Sequence, residues 1–326
     1  MSHPSLSRLG VLLAGVAADH VAEVARTAED LGFGSLWAPE DYPERPAAVV
    51  AALAIGATHG IHVGTGVTSL ATRHPVVVAM EAAALAEAAP GRTSAGVGLG
   101  LPGTLRAFGC LPASPLTAVR ERALAVRDLL AGGVVTLDDP AARLDGVNLA
   151  HPPAVTPPLV LGGLGPRMLD LAGEIGDGVI VSSLGTPEYL RGTVARVCAA
   201  AAAHGRVRPR ISAFAWYRLG DDDAAMQAAL RPNVAGALGF VGPGPLSDAD
   251  GWNDELGLLL ADPRPLVDLL PGRWIDEMVV AGSAATCAAR IAARLDRGAD
   301  EVVLCPMGDD PARQLERTAA EVADLL

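Results

Sequence analysis

The chain has 326 residues, half of them hydrophobic and only 3% aromatic, so a large core of Ala, Val, Leu and Ile is expected and disorder is not. Its formal net charge of −12 argues against nucleic acid as a partner, because a polyanion binder needs the opposite sign. Every basic side chain apart from His is Arg, which excludes Schiff-base and Lys general-base chemistry.

The four cysteines (Cys110, Cys198, Cys287, Cys305) are dispersed without a CxxC pair. That pattern suits a reducing cytoplasm and predicts neither disulfides nor a zinc site. No secretory leader pattern and no uninterrupted run of some eighteen apolar residues is visible, so a cytoplasmic protein without a membrane span is expected.

Short apolar runs alternate with helical patterns from end to end. Leu9–Leu13 predicts a strand and Asp19–Leu31 a helix, capped by Asp19 and stopped by Gly32. Ser35–Ala38, Ile61–Val67 and Thr93–Gly98 predict the next strands, with helices over Pro46–His59, His74–Ala88 and Pro115–Ala131. Residues 132–158 form an excursion rich in Gly, Asp and Pro. Leu159–Leu161, Val179–Ser182 and Arg210–Tyr217 supply strands five to seven, separated by helices starting at Pro166 and Pro187. The stretch 220–282 is irregular, suggesting extra helices or a lid. Ala284–Leu295, Glu301–Cys305 and Pro311–Leu326 close the series as helix, strand and helix. Eight βα units without a break predict an α/β fold, a single (β/α)8 TIM barrel domain with insertions, spanning 1–326. Its active site belongs at the C-terminal ends of the strands.

Several strand ends carry chemistry. After strand two, Trp37-Ala-Pro-Glu40-Asp41-Tyr42-Pro-Glu44-Arg45 gathers three carboxylates. Glu40 and Asp41 are expected to perturb each other's pKa if partly buried, which suits proton handling; the alternative is a solvated acidic loop paired with Arg45. Strand three holds Gly64 and Gly66, and interior glycines mark a bulge or a close ligand approach. His74 follows it, as a catalytic group or as a helix cap. Gly98-Leu-Gly100-Leu-Pro-Gly103 has the form GxGxxG. Pro102 interrupting the turn and Glu121 inside a helix make a flat ligand against small residues the better reading than a dinucleotide fold. In Leu161-Gly-Gly-Leu-Gly-Pro-Arg-Met a strand runs through glycines into a helix. Free amides at Gly163, Leu164 and Gly165 there suit a phosphate, with Arg167 adding charge. The other reading is a tight turn without ligand. Metal and Ser-nucleophile motifs are absent.

Taken as an ordered set, these segments resemble the luciferase-like flavin and deazaflavin oxidoreductases, in particular the methylenetetrahydromethanopterin-reductase-like branch. The matching stretches are Ala28–Trp37, Gly64–Thr68 with Thr72–Pro75, Gly91-Arg92 with Gly96–Gly100, Gly163–Gly178, and Gly298–Pro306. The resemblance implies hydride transfer between coenzyme F420 and a small organic substrate, with the coenzyme ring on strand three and a non-prolyl cis peptide near Gly66–Val67. Coenzyme contacts are then expected from Gly66, Val67, Thr68, Gly98, Gly100 and the phosphate turn Gly162, Gly163, Leu164, Gly165, Pro166. Catalytic roles fall to Glu40, Asp41 and His74, and substrate contacts to Tyr42, Leu101 and Trp216. Two positions depart from the branch: Glu40-Asp41 stands where it usually has Asp-His, and Leu101 where it usually has an acid. A substrate diverged from a pterin is therefore expected. Barrels of this family commonly pair, so a homodimer is expected. The alternatives are an FMNH2-dependent luciferase-like monooxygenase and a non-catalytic barrel acting as a partner subunit.

Overall fold

A computed structural model describes residues 3–42, 44–308 and 310–326. Eight parallel strands close on themselves: β1 (Leu9–Leu12), β2 (Ser35–Ala38), β3 (His62–Thr65), β4 (Thr93–Gly98), β5 (Leu159–Gly162), β6 (Gly178–Val181), β7 (Arg210–Leu219) and β8 (Glu301–Pro306). Each pairs with its sequence neighbour, and β8 returns to β1 in the register Leu9↔Val302. The strands read as apolar runs because the helices cover their outer faces and barrel-filling side chains their inner ones.

The surrounding helices are α1 (Val21–Leu31), α2 (Ala47–Ala57), α3 (Pro75–Ala88), α4 (Pro115–Leu130), α5 (Pro166–Ile175), α6 (Pro187–Ala203), α7 (Ala284–Asp296) and α8 (Pro311–Arg317). In α1, Val21, Val24, Ala25 and Ala28 face the core, and Gly32 ends the helix in the left-handed region at φ 94°. Asp19 does not cap it; His20 holds the cap position without a side-chain hydrogen bond. The closing helix is shorter than its periodicity predicts. It ends at Arg317 and the chain continues as a π turn and a 3-10 turn, tied by the Tyr217–Thr318 hydroxyl contact at 2.7 Å.

The excursion at 132–158 contains an antiparallel hairpin, Val135–Leu137 with Leu144–Val147. The irregular stretch 220–282 holds five helices, Asp223–Val241, Pro245–Asp248, Asn253–Ala261, Leu266–Leu269 and Gly272–Met278, and an added strand Val280–Gly282 beside β7. Trp252 and Trp274 stack within it at 4.8 Å. It leans over the barrel mouth: a Cβ on Gly103, beyond β4, would lie 2.8 Å from the Phe240 ring, and Thr186, beyond β6, donates to Asp250 at 2.6 Å. Among the described residues no helix is long and apolar enough to cross a membrane, and no group of acidic, His and Cys side chains is arranged to hold a metal ion.

Candidate active site

Strand three is not continuous through Val67. It stops at Thr65, turns through a cis peptide between Gly66 and Val67, and resumes as the short pair Thr68–Ser69 alongside β4. This break brings glycines from three strands together. A Cβ on Gly162 would approach Val67 Cγ1 at 2.7 Å, and one on Gly98 would meet Val67 Cγ2 and the Gly162 carbonyl oxygen at 3.0 Å. Below, a Cβ on Gly66 would meet the Phe214 ring at 3.0 Å and the Trp37 ring at 3.2 Å. The absence of side chains on these glycines lets Val67 and the two rings pack directly against backbone, forming a closely packed floor at the ends of β3, β4 and β5.

Trp37 and Phe214 pack edge to face at 5.7 Å beneath that floor. The Trp37 indole N–H donates to Ser35 Oγ at 3.0 Å, and Ser35 donates to the buried Glu301 at 2.8 Å. Ser212 donates to the other oxygen of Glu301 at 2.6 Å. The support of the floor thus reaches a buried carboxylate at the N-terminal end of the barrel. This polar chain was not anticipated from sequence; the only signal was a Ser and a Glu at the start of apolar strands.

The acidic pair beyond β2 divides. Glu40 turns inward, its side chain 2% exposed, and accepts from Arg73 Nε at 2.8 Å, Tyr42 Oη at 2.6 Å and the Ala47 amide at 3.2 Å. Arg73 also donates to Glu81 at 2.9 Å, and Tyr42 shares a 2.6 Å hydroxyl contact with Thr72. Asp41 faces the opposite way, into the mouth. Although solvent reaches it, surrounding protein withholds enough water to raise its carboxyl above the usual range, and Glu44 adds repulsion. The expected coupling of Glu40 with Asp41 is therefore replaced by coupling of Asp41 with Glu44, because Arg73 draws Glu40 away.

Asp41 lines a cavity of about 210 Å³ with Leu13 and Ala14 beyond β1, Pro39, Trp216 in β7, and Cys305 and Met307 around the end of β8. Glu44 and Arg45 stand at the same cavity, 3.9 Å apart. The Cys305 thiol is pushed up to about 12 by burial, then by the Asp41 charge, and stays neutral.

Other expected positions are dispersed. His74 caps α3, its Nδ1 facing the Val76 amide at 3.4 Å, and does not line the cavity. Tyr42 packs edge to face on Phe108 at 5.4 Å. Leu101, 41% exposed, precedes a short helix, Pro102–Ala107, which Pro102 opens instead of interrupting the turn. Gly100 adopts φ 93°, and a Cβ there would meet Ser69 Oγ at 2.8 Å. Beyond β5, Gly163 and Leu164 lead to Gly165, which begins α5 without a side-chain cap, and Pro166 occupies its first turn. Tyr189 donates to the Leu164 carbonyl at 2.7 Å and fixes that turn.

Residues 4–301 match the luciferase-like monooxygenase family. The chain is 29% identical to 5,10-methylenetetrahydromethanopterin reductase of Methanolobus tindarius, over 93% of its own length and 95% of the relative's. It is 30% identical to the F420-dependent hydroxymycolic acid dehydrogenase of Mycobacterium tuberculosis, covering 69% of this chain and 67% of that one. In fold it is similar to the coenzyme F420-dependent tetrahydromethanopterin reductase of Methanopyrus kandleri, with a TM-score of 0.83 at 24% identity and coverage of 97% and 98%. A glycine floor broken by a cis peptide, set in a closed barrel whose sequence matches that family almost throughout, leads to one assignment: this chain belongs to the luciferase-like monooxygenase family.

Proposed function

We propose that the protein is a coenzyme F420-dependent oxidoreductase that moves a hydride between the deazaflavin and a small organic substrate. The observation that carries this reading is the break of strand three at the cis Gly66–Val67 peptide, where Gly98 and Gly162 let Val67 pack closely across the ends of β4 and β5 and so shape the surface on which a planar ring would lie. The family match and the deazaflavin-dependent relatives that span most of the chain support it.

When bound, the deazaflavin supplies hydride acceptance and donation. The protein's part is to bind and orient. Val67 and the glycine backbone carry the ring, and the amides of Gly163, Leu164 and Gly165 at the start of α5, where the positive end of the helix dipole lies, suit the phosphate. Asp41 is the proton-transfer group at the substrate. Glu40 holds the loop through Arg73 and Tyr42, a positioning role. Trp216 and the apolar wall keep water from the reacting atoms.

We also infer a homodimer. Helices α2 and α3 leave Val49, Leu53, Val77 and Met80 exposed, and a second copy of the same pair of helices is the matching surface. Titration of the purified protein with coenzyme F420, read as quenching of deazaflavin fluorescence, tests the coenzyme assignment. Saturable quenching supports it; no quenching together with tight FMN binding overturns it.

A further inference from the structure

The polar chain below the floor bears on how the ring site is held, an inference that rests on the deazaflavin reading above. Barrel interiors are usually filled by branched apolar side chains. Here Ser35, Ser212 and Glu301, at the starts of β2, β7 and β8, are all buried, and Ser212 stands beside Glu301 in register. Side chains two residues apart on a strand share a face, so Trp37 and Phe214 lie one layer above the two serines. A buried carboxyl group costs stability unless its partners compensate it. Glu301 has three: the Ser35 and Ser212 hydroxyls, and Arg210, 3.2 Å away with its side chain largely exposed.

We propose that Ser35 is a positioning residue for the coenzyme ring, acting through Trp37 and itself fixed by Glu301. An indole N–H only donates, so the Trp37 ring is locked in its plane when an acceptor stands at its edge. Ser35 is that acceptor at 3.0 Å, and giving its own hydrogen to Glu301 leaves its lone pairs for Trp37. Each link of such a chain strengthens the next. Gly10 in β1 makes room for it, since a Cβ there would collide with Ser35 Oγ. The six-membered part of the indole lies against strand three. A Cβ on Gly64 would come within 2.5 Å of it, and one on Gly66 within 3.2 Å. Gly66 is joined to Val67 at the break of the strand, so a tilt of the indole is felt directly where the ring would lie.

Ser212 supplies an internal comparison. It is as buried as Ser35, each 2% exposed, and donates to the other oxygen of Glu301. The Trp37 N–H, however, is directed at Ser35 and not at Ser212. Removing either hydroxyl takes one donor from the same carboxyl group, but only the loss of Ser35 Oγ leaves a buried indole N–H without an acceptor.

The test compares Ser35→Ala, Ser212→Ala and Trp37→Phe in the full chain. Coenzyme F420 affinity is read from fluorescence quenching, the indole environment from near-ultraviolet circular dichroism, and stability from urea unfolding. The two serine variants are expected to lose similar stability. Ser35→Ala is expected to weaken deazaflavin binding about fivefold, the effect of one buried hydrogen bond. It should also alter the tryptophan bands that Trp37→Phe removes, whereas Ser212→Ala leaves affinity and bands unchanged. Added to Trp37→Phe, Ser35→Ala should cost no further affinity, because its effect passes through the indole. Equal affinity losses in the two serine variants, or additive losses in the double variant, overturn the proposal. If Ser35→Ala does not fold, Ser35→Cys takes its place with the same expectations, being close in size with a weaker acceptor. A wild type that binds no deazaflavin sinks the coenzyme reading and this inference with it. Equally tight deazaflavin binding by wild type and Ser35→Ala sinks this inference alone.

Discussion

Glu40 and Asp41 are adjacent in sequence yet meet opposite surroundings, and their substitution should separate structure from chemistry. Glu40→Ala leaves the half-buried Arg73 without its main partner, a change expected to cost about 3 kcal/mol in denaturant unfolding. Asp41→Asn behaves differently. Its folded pKa is raised, so the carboxyl favours the fold only while protonated, below its unfolded pKa, and that contribution is lost as pH rises through the folded value. Asp41→Asn should therefore match the wild type in stability at low pH and exceed it at neutral pH, while losing proton transfer. Equal stability differences at both pH values would contradict a raised Asp41 carboxyl. The glycines divide similarly. A Cβ on Gly96 would lie 1.8 Å from the Thr65 carbonyl oxygen, so Gly96→Ala should destabilise the barrel by about 3 kcal/mol. In Gly162→Ala the obstacle is the Val67 side chain and not backbone, so thermal unfolding should suffer less than in Gly96→Ala while deazaflavin affinity falls.

At the scale of elements, the strands and most helices were readable because each is short, apolar and bounded by Pro or Gly. What could not be read depends on partners distant in the chain. Arg73 takes Glu40 inward across 33 positions, and Glu301 anchors Ser35 across 266. The break in β3 was expected from the family resemblance, since two glycines alone specify a weak strand without saying where it turns. The helices of 220–282 escaped periodicity because several run for only four to nine residues and are packed by neighbours, not by their own pattern. Fully buried Arg294 shows how that stretch is held. It donates to the carbonyls of Glu277 and Met278 at 3.0 Å, joining α7 to the end of the Gly272–Met278 helix. Arg294→Met removes those donors and should destabilise the fold by about 2 kcal/mol or more in urea unfolding. An unchanged midpoint would show that the two carbonyls find other partners.

For the molecule as a whole, the barrel divides the labour around its mouth. Strands three to five meet at the broken, closely packed floor around Val67, while the ends of strands one, two, seven and eight enclose a small, mostly apolar space with Asp41, Glu44 and Arg45 on its wall. The proposed pairing through α2 and α3 lies on the outer wall, away from that mouth. Val49→Glu combined with Met80→Glu is expected to convert a dimer to a monomer in light scattering, because each adds a charge to an apolar face; a monomeric wild type would dispose of the interface. The central claim rests on the ring site itself, and one titration addresses it most directly. Purified protein is titrated with coenzyme F420 and, separately, with FMN, following deazaflavin and flavin fluorescence. The account predicts saturable quenching of the deazaflavin, weakened by Gly162→Ala, and little response from FMN. Tight FMN binding with an unresponsive deazaflavin would contradict it.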